Sequence, residues 1–353
     1  MKCCPADAEG SAGGQTRSQV FAVDVHCHVL TMAAEALVAD HPMKLAEPAA
    51  MRAAMGDASV EHNLSTMLPQ AFPKLTRVEQ RLADMDAMGV DVQVISPSPN
   101  QYYYWAEPDL ARDLVRIQNE GIAALCAAHP RRLRGLGTVA LQHPAMAAEQ
   151  LEHAVRVLGL EGVEISTSVE GWELDDPALE EFWTMADRLK AVVFIHPFGT
   201  TVGARLATHY LNNTIGQPLE TTIALSRLIF SGLLDRHPGV RVLAAHGGGY
   251  LPTYLGRSEH ANAVRPEAQT MARRPSDYLR DMYFDTVVHD GVALRHLVNI
   301  VGLSQVMVGT DYPYDMGHFS PHQLVAAMPN SNRAECEAIL GGNARKLFRL
   351  PAV

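Results

Sequence analysis

The sequence predicts an α/β fold: a (β/α)8 TIM-like barrel with a short insertion after the first strand. Three observations point there. Eight short apolar or β-branched runs alternate with helix-like segments, the grammar of a parallel barrel. Histidines and an aspartate recur at the C-terminal ends of those runs, where barrel chemistry sits. No Gly-x-Gly-x-x-Gly follows the first run, which lowers the competing reading, a doubly wound open sheet.

In chain order the runs are FAVDVH (21–26), DVQVIS (91–96), LRGLGTVA (133–140), GVEIST (162–167), AVVFIH (191–196), RVLAAH (241–246), MYFDT (282–286) and VMVGTD (306–311). Each has strand length. The helical patterns between them are TRVEQRLADMDAMG, PDLARDLVRIQNEGIAALCAAH, PAMAAEQLEHAVRVLG, DPALEEFWTMADRLK, ETTIALSRLIFSGLLDRH, GVALRHLVNIVG and NRAECEAILGGNARKLF. Asp176-Pro177 and Glu107-Pro108-Asp109 supply start signals; Gly89 and Gly159 supply stops. The stretch 31–75, rich in Met, Ala and Pro, matches no βα unit and is read as the insertion. No linker interrupts the interior, so residues 20–353 are expected as one domain. Residues 1–19, small and polar, are expected as a flexible N-terminal arm.

Composition narrows the function classes. The chain has 353 residues and a net charge of -10, with no basic block to grip nucleic acid. Its five cysteines (3, 4, 27, 126 and 336) are scattered and form no CxxC pair. Free thiols and a cytoplasmic location are expected. MKCCPADAEGSAGG lacks the apolar core of a signal peptide. No run of 18 apolar residues suggests a membrane span.

The strand ends carry the chemistry. His26 and His28 stand two apart at the first, so both imidazoles project to one face. His196 ends the fifth strand, His246 the sixth and Asp311 the eighth. A lone histidine at a strand end is usually an ordinary polar residue. Four histidines and one aspartate in this order point to a divalent metal with an open position for water. Gly247-Gly248-Gly249 lacks the Lys-Ser/Thr ending of a phosphate loop; a close backbone approach to substrate is the expected reason for these glycines.

The chain resembles the amidohydrolase superfamily, in the form without a bridging carboxylated lysine. More narrowly it resembles the aminocarboxymuconate-semialdehyde decarboxylase branch, which includes resorcylate and carboxyvanillate decarboxylases. The resemblance spans about 21 to 350 and rests on MDAMGVDVQVIS, RLRGLGTVALQHP, GVEISTSVEGWELDDP, FIHPFG, the long stretch from GQPLETT to YLGR, YFDTVVHD and VMVGTDYPYDMG. It implies that His26, His28, His196 and Asp311 hold one divalent metal ion, Zn first and Mn as the alternative. It makes His246 an acid/base beside the metal's water, with Asp311 sharing the proton work. It implies that Arg257 meets a substrate carboxylate from a neighbouring subunit, hence a homodimer or dimer-based oligomer. A helix-surface charge is the plain alternative for Arg257.

The chain departs from the semialdehyde decarboxylase in two places. The loop after His196 carries Tyr210, Asn212 and Asn213 where a Trp-rich segment is expected. HNLSTMLPQAFPK has no arginine, and the nearest cations are Lys74 and Arg77. A small aromatic or muconate-type carboxylic acid is expected, and a substrate with fewer carboxylates, or an aromatic ring, suits the chain better than the muconate semialdehyde itself, with Phe198, Asn100 and Tyr210 as further substrate contacts. The run Tyr102-Tyr103-Tyr104-Trp105 either lines the pocket or packs the loops. His289, after the seventh strand, is either near the mouth or a neighbour of the helix cap Asp290.

The expected reaction is non-oxidative decarboxylation in aromatic catabolism, with the metal stabilising charge left on carbon. Hydrolysis of a lactone or amide, or hydration, is the alternative on the same barrel. A non-enzymatic metal-binding protein is the third class, and it would need no acid/base beside the metal.

Overall fold

A computed structural model describes residues 20–351, so the arm expected over 1–19 lies outside the described residues. The barrel is present. β1 (Val23–Val29) pairs in parallel with β2 (Val92–Pro97), and β2 with β3 (Leu133–Gly135). A second parallel sheet runs β4 (Gly162–Ile165), β5 (Val192–Ile195), β6 (Arg241–Ala244) and β7 (Tyr283–Phe284). Single bridges close the ring: Gly137 to Val163, Phe284 to Val306 and Cys27 to Tyr312. The eighth run binds β1 through Val25 N–H to the Val308 carbonyl, 2.8 Å.

The third run is shorter than its pattern, and the eighth is held by bridges and isolated bonds alone. Gly135 and Gly137 explain the third. A Cβ on either would lie 2.6 Å from a side chain of the helix Pro108–Ala128, Ile122 or Asn119. Helix and strand therefore touch backbone-close, and the strand ends early.

The insertion is helical: α1 (Met32–Val38), α2 (Pro42–Met55), α3 (Asp57–His62), a π-helical turn (Asn63–Met67) and α4 (Leu68–Thr76). Ala, Met and Leu are strong helix formers, and Pro42 starts α2 where its missing N–H costs nothing. Pro48 and Pro73 inside helices obscure that pattern in the sequence. Gly56 joins α2 to α3 at φ +78, and a Cβ there would lie 2.1 Å from the Ala207 carbonyl oxygen. Asn212 donates to the Ala54 carbonyl, 3.2 Å. The insertion thus packs on the loop that follows β5.

The helices pack as their patterns imply. Phe182, Trp183 and Ala186 bury one face of the helix Glu180–Leu189, and a buried Phe side chain is worth roughly 1.5–3 kcal/mol. The pattern ETTIALSRLIFSGLLDRH divides into Gln217–Phe230 and Leu233–Arg236, because Gly232 turns the chain at φ +69. Gly89 caps its helix at φ +71, and Asp176 accepts from Ala178 N–H; Glu107 makes no side-chain cap bond. Among the described residues, Cys27, Cys126 and Cys336 form no disulfide.

Candidate metal centre

β1 delivers its two histidines buried and pre-oriented. A bulge between Asp24 and Cys27 re-aims the strand end. His26 Nδ1 donates to Asp285 Oδ2 at 2.6 Å, and His28 Nδ1 donates to the Pro97 carbonyl at 3.0 Å. These bonds turn both Nε2 atoms toward the barrel mouth. Both Nε2 atoms are buried without a hydrogen-bond partner.

Three loops bring the other ligand candidates. His196 follows β5, with both ring nitrogens buried and unpartnered. His246 follows β6 at φ +55, and Asp311 sits in the eighth run at φ +57. Such left-handed backbone costs roughly 1–3 kcal/mol per non-glycine residue and persists only where the surroundings impose it. Here they do. Asp285 accepts from His246 N–H (2.9 Å) and Gly247 N–H (2.8 Å). Asp24 accepts from Thr310 N–H (3.0 Å), and Asp311 N–H donates to the His26 carbonyl (2.8 Å).

One donor atom each from His26, His196, His246 and Asp311 lie within 4.8 Å of one another. Asp311 Oδ1 is 3.3 Å from His26 Nε2 and 3.4 Å from His28 Nε2, and its Oδ2 is 3.6 Å from His246 Nε2. All five residues read from the strand ends therefore converge. A buried polar atom left unsatisfied costs roughly 1–3 kcal/mol. These inward-facing nitrogens beside one carboxylate are a donor set that suits a divalent cation.

The electrostatics agree. Burial opposes charging of His26, but the carboxylates of Asp311 and Asp285 outweigh it and push the ring up to about 10. His196 is held well below the usual imidazole value by burial, then by the rings of His28, His26 and His246. Burial would raise Asp311, yet the charge of His26 and the close approach of the His246, His26 and His28 rings hold it well below the carboxylate range. Asp285 is lowered against burial chiefly by its bond to His26.

Two acids absent from the strand-end reading stand behind the histidines. One is Asp285, at the end of the seventh run. The other is Glu164 in β4, whose Oε2 is 3.5 Å from His28 Nδ1 and whose Oε1 accepts from the Tyr102 hydroxyl at 2.6 Å. Each was visible as a lone acid within an apolar strand. Tyr314 was also missed; its ring lies 5.6 Å from that of His28.

The expected substrate contacts divide. Asn100 accepts from the Ser98 hydroxyl, which in turn pairs with the Tyr314 hydroxyl beside the centre. Tyr210 lies in the loop after β5, and burial, then the charges of Asp315 and Asp311, push its hydroxyl up to about 12. Phe198 is half exposed, edge-on to Tyr102 at 6.3 Å. Arg257 is exposed on the helix Leu251–Val264 and is not brought to this centre. Tyr102, Tyr103 and Tyr104 are buried, and Trp105 stacks on His41 at 4.4 Å, so packing accounts for most of the aromatic run.

The three glycines after His246 serve packing too. A Cβ on Gly247 would lie 2.5 Å from Val288, on Gly248 2.7 Å from Phe284, and on Gly249 2.1 Å from the Pro218 carbonyl. Neighbouring chain explains them without a substrate. Asp290 caps the helix Gly291–Val301, and the adjacent His289 ring lies 6.3 Å from that of His318.

Comparison with known proteins agrees with this geometry. The family model described as Amidohydrolase matches residues 23–350. The chain is 36% identical to the 2-amino-3-carboxymuconate-6-semialdehyde decarboxylase of Dictyostelium discoideum over 272 residues, 76% of each chain. It is 31% identical to the gamma-resorcylate decarboxylase of Rhodococcus jostii, over 76% of this chain and 87% of that one. The 5-carboxyvanillate decarboxylase of Novosphingobium aromaticivorans, solved with manganese and 4-hydroxy-3-methoxy-5-nitrobenzoic acid, superposes with a TM-score of 0.83. It is 22% identical, over 95% of this chain and 97% of that one, and shares the fold.

Proposed function

The chain belongs to the amidohydrolase family, and we propose that it is a metal-dependent non-oxidative decarboxylase of a small aromatic carboxylic acid. The convergence of four imidazoles and Asp311 at the barrel mouth carries this reading. His26, His28, His196 and Asp311 would hold the ion, for which the histidine-rich set favours Zn, with Mn as the alternative.

Bound there, a divalent metal supplies electrophilic stabilisation for the charge left on carbon as CO2 departs. The chain's own residues do the rest. The C–C bond to the carboxylate breaks, its electron pair stays on the ring carbon, and a proton must reach that carbon. His246, whose Nε2 lies 3.6 Å from Asp311 Oδ2, would hold that proton, with the carboxylate as its counter-charge. Tyr210, Asn100 and Phe198 would orient the ring.

Cation supply supports an aromatic acid over a more highly charged muconate. In the insertion, Lys44 is held between Glu35 (3.0 Å) and Glu47 (2.8 Å), Arg52 pairs with Asp57 (3.0 Å), and Lys74 lies over the Phe319 ring at 5.8 Å. Arg257, exposed on its helix, would serve the mouth of a second copy in a dimer and grip the carboxylate bidentately. We assign the enzyme to the cytoplasm; among the described residues no helix is long and apolar enough to cross a membrane.

The test is CO2 release from a panel of 2-hydroxy- and 2-aminobenzoates and muconate semialdehydes, with Zn- and Mn-loaded protein and His246→Ala as control. Metal-dependent CO2 that the variant loses supports the reading. Hydrolysis of lactones or amides, with no CO2 from any acid, would replace it with the hydrolase alternative.

A further inference from the structure

Glu164 has no obvious reason to be where it is. It lies in the middle of β4, in a strand otherwise made of Gly162, Val163 and Ile165, and is fully buried. A buried carboxylate is costly unless well paired. Only half of this one is paired. Oε1 accepts from the Tyr102 hydroxyl at 2.6 Å, while Oε2 is buried with no partner in hydrogen-bonding geometry. An apolar side chain of similar size would pack there at lower cost.

What Oε2 faces is the back of a ligand candidate. It lies 3.5 Å from His28 Nδ1, the ring atom that donates to the Pro97 carbonyl. The other histidine of the pair also has an acid behind it, there hydrogen-bonded: His26 Nδ1 meets the buried carboxylate of Asp285 at 2.6 Å, whereas Glu164 acts on His28 by charge alone. Each histidine from β1 thus has its own acid behind it, one from β4 and one from the seventh run. A carboxylate behind a ligand imidazole fixes the ring and strengthens its free lone pair.

We infer that Glu164, held by Tyr102, is a positioning residue that raises metal affinity through His28 at a cost to the stability of the metal-free protein. This rests on the metal-site reading above. The Tyr102 hydroxyl crosses from the loop after β2 to reach the acid, at 2.6 Å, and also meets the His196 carbonyl at the longer distance of 3.2 Å.

The test uses the full chain, stripped of metal, with Zn2+ affinity measured by chelator competition and the metal-free melting temperature recorded alongside. Glu164→Gln keeps the shape and removes the charge. Zn2+ should bind about 10- to 100-fold more weakly, while the metal-free protein melts at the same temperature or higher. Tyr102→Phe keeps the acid and removes its donor, and should weaken Zn2+ by about fivefold; it carries the test if Glu164→Gln does not fold. Unchanged affinity in both variants would overturn the inference. So would weaker binding with a melting temperature that falls in step, because lost packing alone would explain it. If the unaltered chain binds no Zn2+, the metal-site reading fails first, and the two failures are told apart.

Discussion

Replacing Asp285 by Asn should damage the centre without changing its shape. The carboxylate accepts from four donors. Oδ2 serves His26 Nδ1 (2.6 Å) and His246 N–H (2.9 Å); Oδ1 serves Gly247 N–H (2.8 Å) and Val287 N–H (3.0 Å). An amide offers one oxygen. Whichever way it turns, two buried N–H groups face an NH2. Each lost acceptor costs roughly 1–3 kcal/mol, so the metal-free chain should lose about 2–6 kcal/mol of unfolding free energy. The His246 turn at φ +55 is anchored by the same carboxylate, and His26 loses the charge behind its ring. Zn2+ should therefore bind about 10- to 100-fold more weakly. Urea unfolding of the stripped protein and chelator competition read the two effects. A variant that binds Zn2+ within twofold of the parent would refute this role for Asp285.

Three further outcomes follow from the same geometry. His246→Ala should retain about one metal per chain and lose roughly 10²–10⁴-fold in CO2 release; loss of the metal itself would make His246 a ligand instead. His26, pushed up to about 10 from its ordinary 6.5, is protonated at pH 8 in the metal-free protein. Metal needs the neutral ring, so calorimetry in buffers of different ionisation enthalpy should show about one proton released per metal at pH 8, with affinity falling as pH drops. In the metal-free protein that proton's stabilisation is complete below 6.5 and is lost as pH rises through about 10. Stripping metal from protein held at free metal 100 times Kd should remove about 2.7 kcal/mol of unfolding free energy, seen as a lower urea midpoint that returns on reloading.

The barrel and the five converging residues were legible because strand period and strand ends are local signals. The apolar runs locate β1, β2, β4, β5 and β6 closely, and the last residues of those runs point to the mouth. Asp285 and Glu164 were within the quoted runs MYFDT and GVEIST but unassigned. Each is a single acid with no i,i+2 partner, and its meaning comes from a histidine on another strand, 2.6 Å away for Asp285 and 3.5 Å for Glu164. The insertion's helices were illegible because Pro48 and Pro73 fall inside them. The glycines after His246 were read as substrate clearance because packing against Phe284, Val288 and Pro218 depends on residues far along the chain.

The most direct measurement is NMR of the reaction in D2O with metal-loaded protein and the best carboxylic acid of the panel. A decarboxylase releases one CO2 per product and leaves deuterium on the carbon that lost the carboxylate. A product that keeps its carboxylate and has gained the elements of water would contradict the decarboxylase reading.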